Sequence, residues 1–426
     1  MRLRTRLAVL VCKASGAVLR KLGRGGTNLP GKLALKIDKN ILGELSRGVK
    51  VTVVTGTNGK TTTSRMIEQA FADAGFRYFS NKSGANLLTG IIAVFAQHAT
   101  LSGRCPYTHA LIECDEAAFR RTSEYLPVEC LVVNNIFRDQ LDRYGEVTHT
   151  LNAIREGITH VPNATLCLNA DCSLTASLAE DGIPNPIIRF GVNVPIYSET
   201  AHELSDAVYC IHCKTQYEYD YRTYGHLGGF RCPKCGYRRH HADYAVTDIV
   251  EQRADGSTVV MDIMCERRVV DINLPAMYNI YNAAGAVAAV TQMGLSADDA
   301  VKALAGFKCG FGRMEQFKLG GGAKMMLVKN PAGCNQVVEF LQNIKEKFVL
   351  VVCLNDRGAD GTDISWVWDV DFEALSGIAG RIDRIIVSGD RAPDMAVRIK
   401  YAGIAPEHIE IERDYEKLVS GLEKQS

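Results

Sequence analysis

The stretch "VTVVTGTNGKTTTSRMIEQAF", residues 51 to 71, constrains the fold more than any other part of the chain. Its β-branched opening, Val51 to Val54, predicts a buried parallel strand, and Thr61 to Phe71 carries helical spacing. The turn between them, Gly56-Thr57-Asn58-Gly59-Lys60-Thr61, is a phosphate-loop candidate. Glycines there let backbone N–H groups converge on an anion, which then rests at the positive end of the following helix. Lys60 is expected to reach the outer phosphates, and the Thr61 hydroxyl to help hold Mg²⁺. Only Thr57 and Asn58 separate the first glycine from the Gly-Lys pair, a shorter spacer than in the common nucleotide loop. A plain tight turn is the competing reading.

Beyond the loop, "HALIECDE", "ECLVVNNI" and "ATLCLNAD" read as further strands ending in polar residues. Strands alternating with helices from residue 50 to about 200 predict a mostly parallel sheet with helices on both faces. Ligands in such sheets lie at the carboxyl ends of the strands, so the polar ends belong in one crevice with the loop. An alanine-rich helix, "NIYNAAGAVAAVTQMG", follows, and then a glycine-rich break at "GFKCGFGRMEQFKLGGGAK" suited to a hinge. Alternation resumes in "KMMLVKN", "FVLVVCLND" and "RIDRIIVSGD". The expected division is an amphipathic segment over 1–49, an ATP-binding domain over 50–310 and a smaller Rossmann-like α/β domain over 311–426.

Inside the first large domain, about 205 to 241, the texture changes to tyrosines, glycines and four cysteines. Cys210 and Cys213 are separated from Cys232 and Cys235 by eighteen residues, the spacing of two knuckles that present four thiolates to zinc. Four thiolates leave no position for water, so the predicted zinc is structural. Ten other cysteines are scattered through apolar runs, which suits reduced thiols better than a disulfide framework. A formal charge of +1 gives no basis for non-specific nucleic-acid binding, which weighs against a nucleotide-switched zinc-ribbon protein acting on DNA or RNA.

The first residues, "MRLRTRLAVLVCKASGAVLRKLGRGG", place arginines before a short apolar run. That run is too short to span a bilayer, and an amphipathic helix from about Arg6 to Leu22 is expected. It either packs on its own protein or lies on an anionic membrane surface.

Together, "TGTNGKTTT", "ECDE", "NNIFRDQLDRYG", "YNIYNAAG" and "FGRME" resemble the Mur ligase family, over about residues 50 to 315. The four-cysteine insertion and "LNDRGADGTDISWVWDVDFE" narrow the resemblance to the branch that works as a ligase subunit beside a glutaminase. The resemblance implies a cytoplasmic enzyme of peptidoglycan synthesis, acting with ATP and Mg²⁺ on the lipid II stem peptide. The α-carboxylate of its D-glutamate is activated as an acyl phosphate, and ammonia from a GatD-type glutamine amidotransferase completes D-isoglutamine. The expected location is the cytoplasm, with the inner face of the plasma membrane as the narrower option. A freestanding amino-acid ligase of the Mur or folylpolyglutamate type is the alternative.

Carried over residue by residue, the resemblance makes Gly56, Thr57, Asn58, Gly59, Lys60, Thr61 and Thr62 nucleotide-binding. Glu113 matches a Mg²⁺-binding glutamate, with Asp115 and Glu116 as competitors. Asn279 and Asn282 match asparagines that contact the base, helix capping being the alternative for Asn279. Arg313 matches an arginine near the phosphates, against an interdomain salt bridge. Gln140 and Tyr278 replace family histidines, so a second metal site of the kind found in many relatives is not expected. Among the C-terminal acids, which the sequence crowds into one loop after a strand, Asp356 is the choice for a third acid completing the partner's glutaminase site, with Asp360 second. No glutaminase nucleophile is evident in the chain; Cys334, in "NPAGCNQ", is the most loop-like cysteine and has no neighbouring histidine.

Overall fold

The computed structural model describes residues 3–22, 28–81, 85–138, 147–180, 182–195, 206–253, 255–274, 276–307, 313–319, 321–357 and 361–423, without the side chains of 313–316. Three helices, Leu3–Lys21, Asn28–Ile37 and Ile41–Leu45, precede a nine-stranded sheet. In chain order its strands are β1 (Lys50–Thr55), β2 (Tyr78–Ser80), β3 (His109–Glu113), β4 (Val128–Val133), β5 (Thr165–Asn169) and β6 (Ile187–Val192). A two-stranded ribbon of β7 (Glu218–Arg222) and β8 (Gly228–Arg231) intervenes before β9 (Tyr244–Gln252), β10 (Ser257–Ile263) and β11 (Glu266–Ile272) complete the sheet.

The spatial order is β11-β10-β9-β6-β5-β4-β1-β3-β2. Strands β1 to β6 and β9 pair in parallel, and β10 and β11 extend the edge antiparallel. Alternation along β1 decides what covers each face. Val51 and Val53 join Ala8, Val9 and Cys12 of the first helix and Ile91, Ile92 and Phe95 of the helix Leu88–His98. Val54 packs on the opposite face with Met66, Ile67 and Phe71 of the helix Lys60–Asp73 and with the helix Asn279–Gln292. The anticipated helix at the start of the chain therefore forms over Leu3–Lys21, and one of its faces is part of the core. The second helix comes so close that a Cβ at Gly31 would fall 1.7 Å from the carbonyl oxygen of Thr89.

The glycine-rich break is described only in part. Its described part makes a hairpin, β12 (Arg313–Phe317) against β13 (Ala323–Met326), with Gly322 turning at φ 104°. A separate apolar cluster then forms around three parallel strands, β14 (Phe348–Cys353), β15 (Ile382–Ser388) and β16 (Ile409–Ile411). Cys334 lies in a helix, Pro331–Gln342, and not in a loop. Its thiol is buried, and burial pushes its pKa up to about 12, the reverse of what an attacking thiolate needs.

The four cysteines meet as their spacing anticipates. Their sulfurs all lie within 4.8 Å of one another, with Cys210 to Cys235 at 3.5 Å and Cys213 to Cys232 at 3.4 Å. A tetrahedron with Zn–S bonds of about 2.3 Å has sulfurs roughly 3.8 Å apart, so the donor set fits zinc. Buried Asp171 ties this region to the main sheet: it accepts from Arg239 Nε at 2.6 Å, Tyr281 OH at 2.6 Å and the Val192 amide at 2.9 Å.

Candidate active site

Strand β1 lies between β3 and β4, where the connections leave toward opposite edges. This is the switch point at which open parallel sheets hold ligands, and the glycine loop emerges from it. Gly56 and Gly59 have φ of 115° and 83°. A Cβ at Gly59 would lie 2.0 Å from Asn282 Oδ1, and one at Gly56 2.7 Å from the carbonyl oxygen of Asn135. Both positions thus exclude any side chain.

The helix Lys60–Asp73 starts without a side-chain cap. Its first amides have no intrahelical carbonyl to pair with, which leaves a positive helix end open to an anion. Asn58 Nδ2 is buried and has no hydrogen-bond partner among the described residues, although Asn58 Oδ1 accepts from Asn330 Nδ2 at 2.9 Å. An uncapped helix, two glycines that admit no side chain and an orphaned amide donor fit a nucleotide phosphate.

The loop is braced from below. Asn135 Oδ1 accepts from the Asn58 amide at 2.9 Å, and Asn134 Nδ2 reaches Thr63 Oγ1 at 2.9 Å. The Thr57 hydroxyl donates to the Phe137 carbonyl and accepts from the Phe137 amide. Asn282 is buried beside this loop, accepting from Thr63 Oγ1 at 3.3 Å and donating to Asn279 Oδ1 at 2.9 Å. Thr62 is buried in the first turn of the helix. Sequence reasoning did not single out Asn134, Asn135 and Asn330. The asparagine pair at the end of "ECLVVNNI" was the available signal for two of them. Asn330 left only the Asn-Pro pattern of a helix cap, which it also is, accepting from the Gly333 amide at 2.8 Å.

The acids after β3 take separate roles. Glu113 stands in register beside Val54 and accepts from Thr61 Oγ1 at 3.2 Å, so the two expected Mg²⁺ ligands are adjacent. Asp115 caps the helix Glu116–Thr122, accepting from the Ala117 and Ala118 amides. Glu116 is no surface acid. It is buried and lies 2.7 Å from Lys60 Nζ, which also donates to the Gly56 carbonyl at 2.6 Å.

Burial works against the Lys60 charge, but Glu116, then Glu113 and Asp115, outweigh it and hold the ammonium above its usual range. Burial raises the Glu116 carboxyl, and Asp115 adds to that while Lys60 pulls it back. Three carboxylates around one ammonium leave an excess of negative charge, which suits a divalent cation.

The described C-terminal acids make separate contacts. Asp356 stands beyond the carboxyl end of β14, half exposed, with Arg391 Nη1 at 3.6 Å. Asp363 accepts from the Ser365 amide at 2.8 Å. Asp369 pairs with Arg138, from the segment after β4, whose amide donates to Asp206 at 2.8 Å. Asp360 and Gln140 lie outside the described residues, as does the side chain of Arg313. Among the described residues, no helix is long and apolar enough to cross a membrane.

Comparison with known proteins gives the same outline. The profile of the Mur ligase middle domain matches residues 54–226, and that of the MurT ligase C-terminal region matches residues 327–426. The chain is 36% identical over 427 aligned residues to the MurT subunit of lipid II isoglutaminyl synthase (glutamine-hydrolyzing) from Streptococcus pneumoniae, covering 100% of this chain and 93% of that one. The Staphylococcus aureus subunit of the same name is 33% identical, covering 96% and 90%. Among solved structures, MurF from Acinetobacter baumannii superposes with a TM-score of 0.64 at 18% identity, covering 91% of this chain and 72% of that one. Taken with the sheet order and the loop at its switch point, these likenesses show that the chain belongs to the MurT branch of the Mur ligase family.

Proposed function

We propose that the chain is the ATP-dependent synthetase subunit that amidates the α-carboxylate of D-glutamate in the lipid II stem peptide. A GatD-type glutamine amidotransferase partner supplies the ammonia, at the inner face of the plasma membrane. The observation that carries this reading is the uncapped helix start at Lys60 facing Glu113 and Glu116, in a chain alike along its full length to a MurT subunit.

A carboxylate is a poor electrophile. Transfer of the γ-phosphoryl group from ATP to a carboxylate oxygen releases ADP and leaves an acyl phosphate. Ammonia then attacks the acyl carbon, the C–O bond to phosphate breaks, and a proton is lost as the amide forms. The protein's part is positioning and charge neutralisation. Lys60 and the amides of Gly59 to Thr62 take the phosphates, with Asn58 Nδ2 as a further donor. Glu116 holds Lys60 in place before nucleotide arrives. Thr61 and Glu113 would hold Mg²⁺, which when bound supplies positive charge to the phosphates. Asn279 and Asn282 are assigned to the base side, and Arg313 to the phosphates. Cys210, Cys213, Cys232 and Cys235 hold a structural zinc. Asp356, with Asp360 as the alternative, reaches into the partner's site to orient its catalytic histidine. The reading keeps the division into 1–49, 50–310 and 311–426.

The test is an assay of the purified chain with its partner, lipid II, ATP, Mg²⁺ and glutamine. D-isoglutamine should form with one ADP per amide, and ammonium salt should replace glutamine and partner together. Amide formation without ATP consumption, or incorporation of an amino acid in place of ammonia, would overturn the proposal.

A further inference from the structure

The first helix is apolar on two sides. Thr5, Ala8, Val9, Cys12 and Gly16 are buried against the protein. On the opposite side Leu3, Leu7, Leu10 and Val18 are 82%, 51%, 52% and 56% exposed. At 3.6 residues per turn these four fall within an arc of about 80°. Arg6 and Arg20 run along one flank of this stripe and Arg4 along the other, all exposed. Beyond the helix, Leu22 and Leu29 are also exposed.

The charge distribution says what this face meets. Nine of the 49 Lys and Arg residues fall within the first 37 positions, and none of the 48 acids does. The remainder holds 40 basic and 48 acidic residues, a formal −8. A chain that is neutral as a whole is therefore strongly polarised, with its cationic excess in the sequence segment that carries the exposed leucine stripe. A second copy of this chain would offer the same cationic face, which repels. An anionic bilayer offers both a headgroup layer for the arginines and an acyl boundary for the leucines.

We infer that the helix Leu3–Lys21 is an interfacial anchor: its Leu3-Leu7-Leu10-Val18 face inserts at the surface of an anionic membrane, with Arg4, Arg6 and Arg20 against the headgroups. The inference deepens the proposed reading, since a lipid-linked acceptor lies in that surface, yet the docking geometry does not use the catalytic residues. The anchor holds the chain by one helix face laid in the interface, and among the described residues no helix is long and apolar enough to cross the bilayer.

Sedimentation of the full chain with vesicles tests it. Vesicles of equal parts phosphatidylglycerol and phosphatidylcholine should carry the protein down, and pure phosphatidylcholine vesicles should leave it in solution. Combined Leu3→Ser, Leu7→Ser and Leu10→Ser should weaken binding at least about tenfold. Reversing Arg4, Arg6 and Arg20 to Glu should weaken it roughly fivefold per residue and remove its salt sensitivity. Both variants should keep the wild-type melting temperature and ATP-dependent amidation of a water-soluble stem-peptide acceptor, because the changed side chains face solvent. Wild-type protein left in solution with the anionic vesicles would overturn the inference, as would undiminished binding by the leucine variant. So would a wild-type dimer that the leucine variant converts to monomer, which assigns the face to protein. Vesicle binding without any amidation would sink the catalytic reading and leave the anchor standing.

Discussion

Two ion pairs beyond strand ends carry different physical weight. Lys60 and Glu116 are both buried at 2.7 Å, inside a mesh of asparagine and threonine hydrogen bonds. Arg391 and Asp356 stand at 3.6 Å, each with 38% of the side chain exposed. The first pair is costly to break, because a lone buried charge remains. The second is screened by water and free to exchange its partner for another. A residue poised to serve a neighbouring subunit belongs in the second setting, and a residue held ready for a polyanion belongs in the first.

The largest effect expected from disturbing this contrast is at Lys60. Lys60→Ala should lower ATP-dependent amidation by about 10³-fold or more, measured as amide per ADP, with the partner's glutaminase still active. Activity within tenfold of wild type would remove the loop from the mechanism. Next comes Glu116→Ala, which leaves the ammonium without its carboxylate. Equilibrium denaturation should report a loss of about 3 kcal/mol.

At the other strand end, Asp356→Asn should slow glutamine hydrolysis by the complex by about 10²-fold while ammonium-driven amidation stays near wild type. Equal loss in both assays would assign Asp356 to the synthetase site and erase the distinction. Smaller per pH unit is an effect beneath the loop. His226 is buried against Phe137, and burial, with Arg222 adding, pushes its pKa down from 6.5 to about 3. Above 6.5 both folded and unfolded chains hold it neutral. Between 6.5 and 3 only the unfolded chain takes up the proton, so stability falls as pH drops, by up to about 1.4 kcal/mol per unit. Denaturation of His226→Gln across that window should lack this component. Arg391→Ala, breaking the exposed pair, should cost less than about 1 kcal/mol by the same measurement.

How much of this could be read in advance follows the range of the interactions. The loop was legible because strand, glycines, lysine and helix are contiguous, and local sterics fix their geometry. The cysteine site was legible because each knuckle is four residues long and the chemistry of four thiolates dictates the meeting. Choosing among Glu113, Asp115 and Glu116 was harder, since all three lie at the end of one strand. What separates them is whether a side chain reaches Thr61, a helix amide or Lys60. Asn330 touching Asn58, and Arg138 touching Asp369, join residues 272 and 231 positions apart. No spacing rule reaches across such separations. The C-terminal acids looked like one cluster because they are close in sequence. The backbone after β14 then sends Asp356, Asp363 and Asp369 to three different partners.

Asp171 sets the terms on which the cysteine insertion exists. Its carboxylate is desolvated and receives Arg239 from beyond β8, Tyr281 from the helix Asn279–Gln292 and the Val192 amide from β6. Excising the insertion strips away the guanidinium and leaves an uncompensated acid in a dry interior. The ribbon is therefore no portable cassette: its deletion must also replace Asp171, and its transplantation must supply a new acid for Arg239.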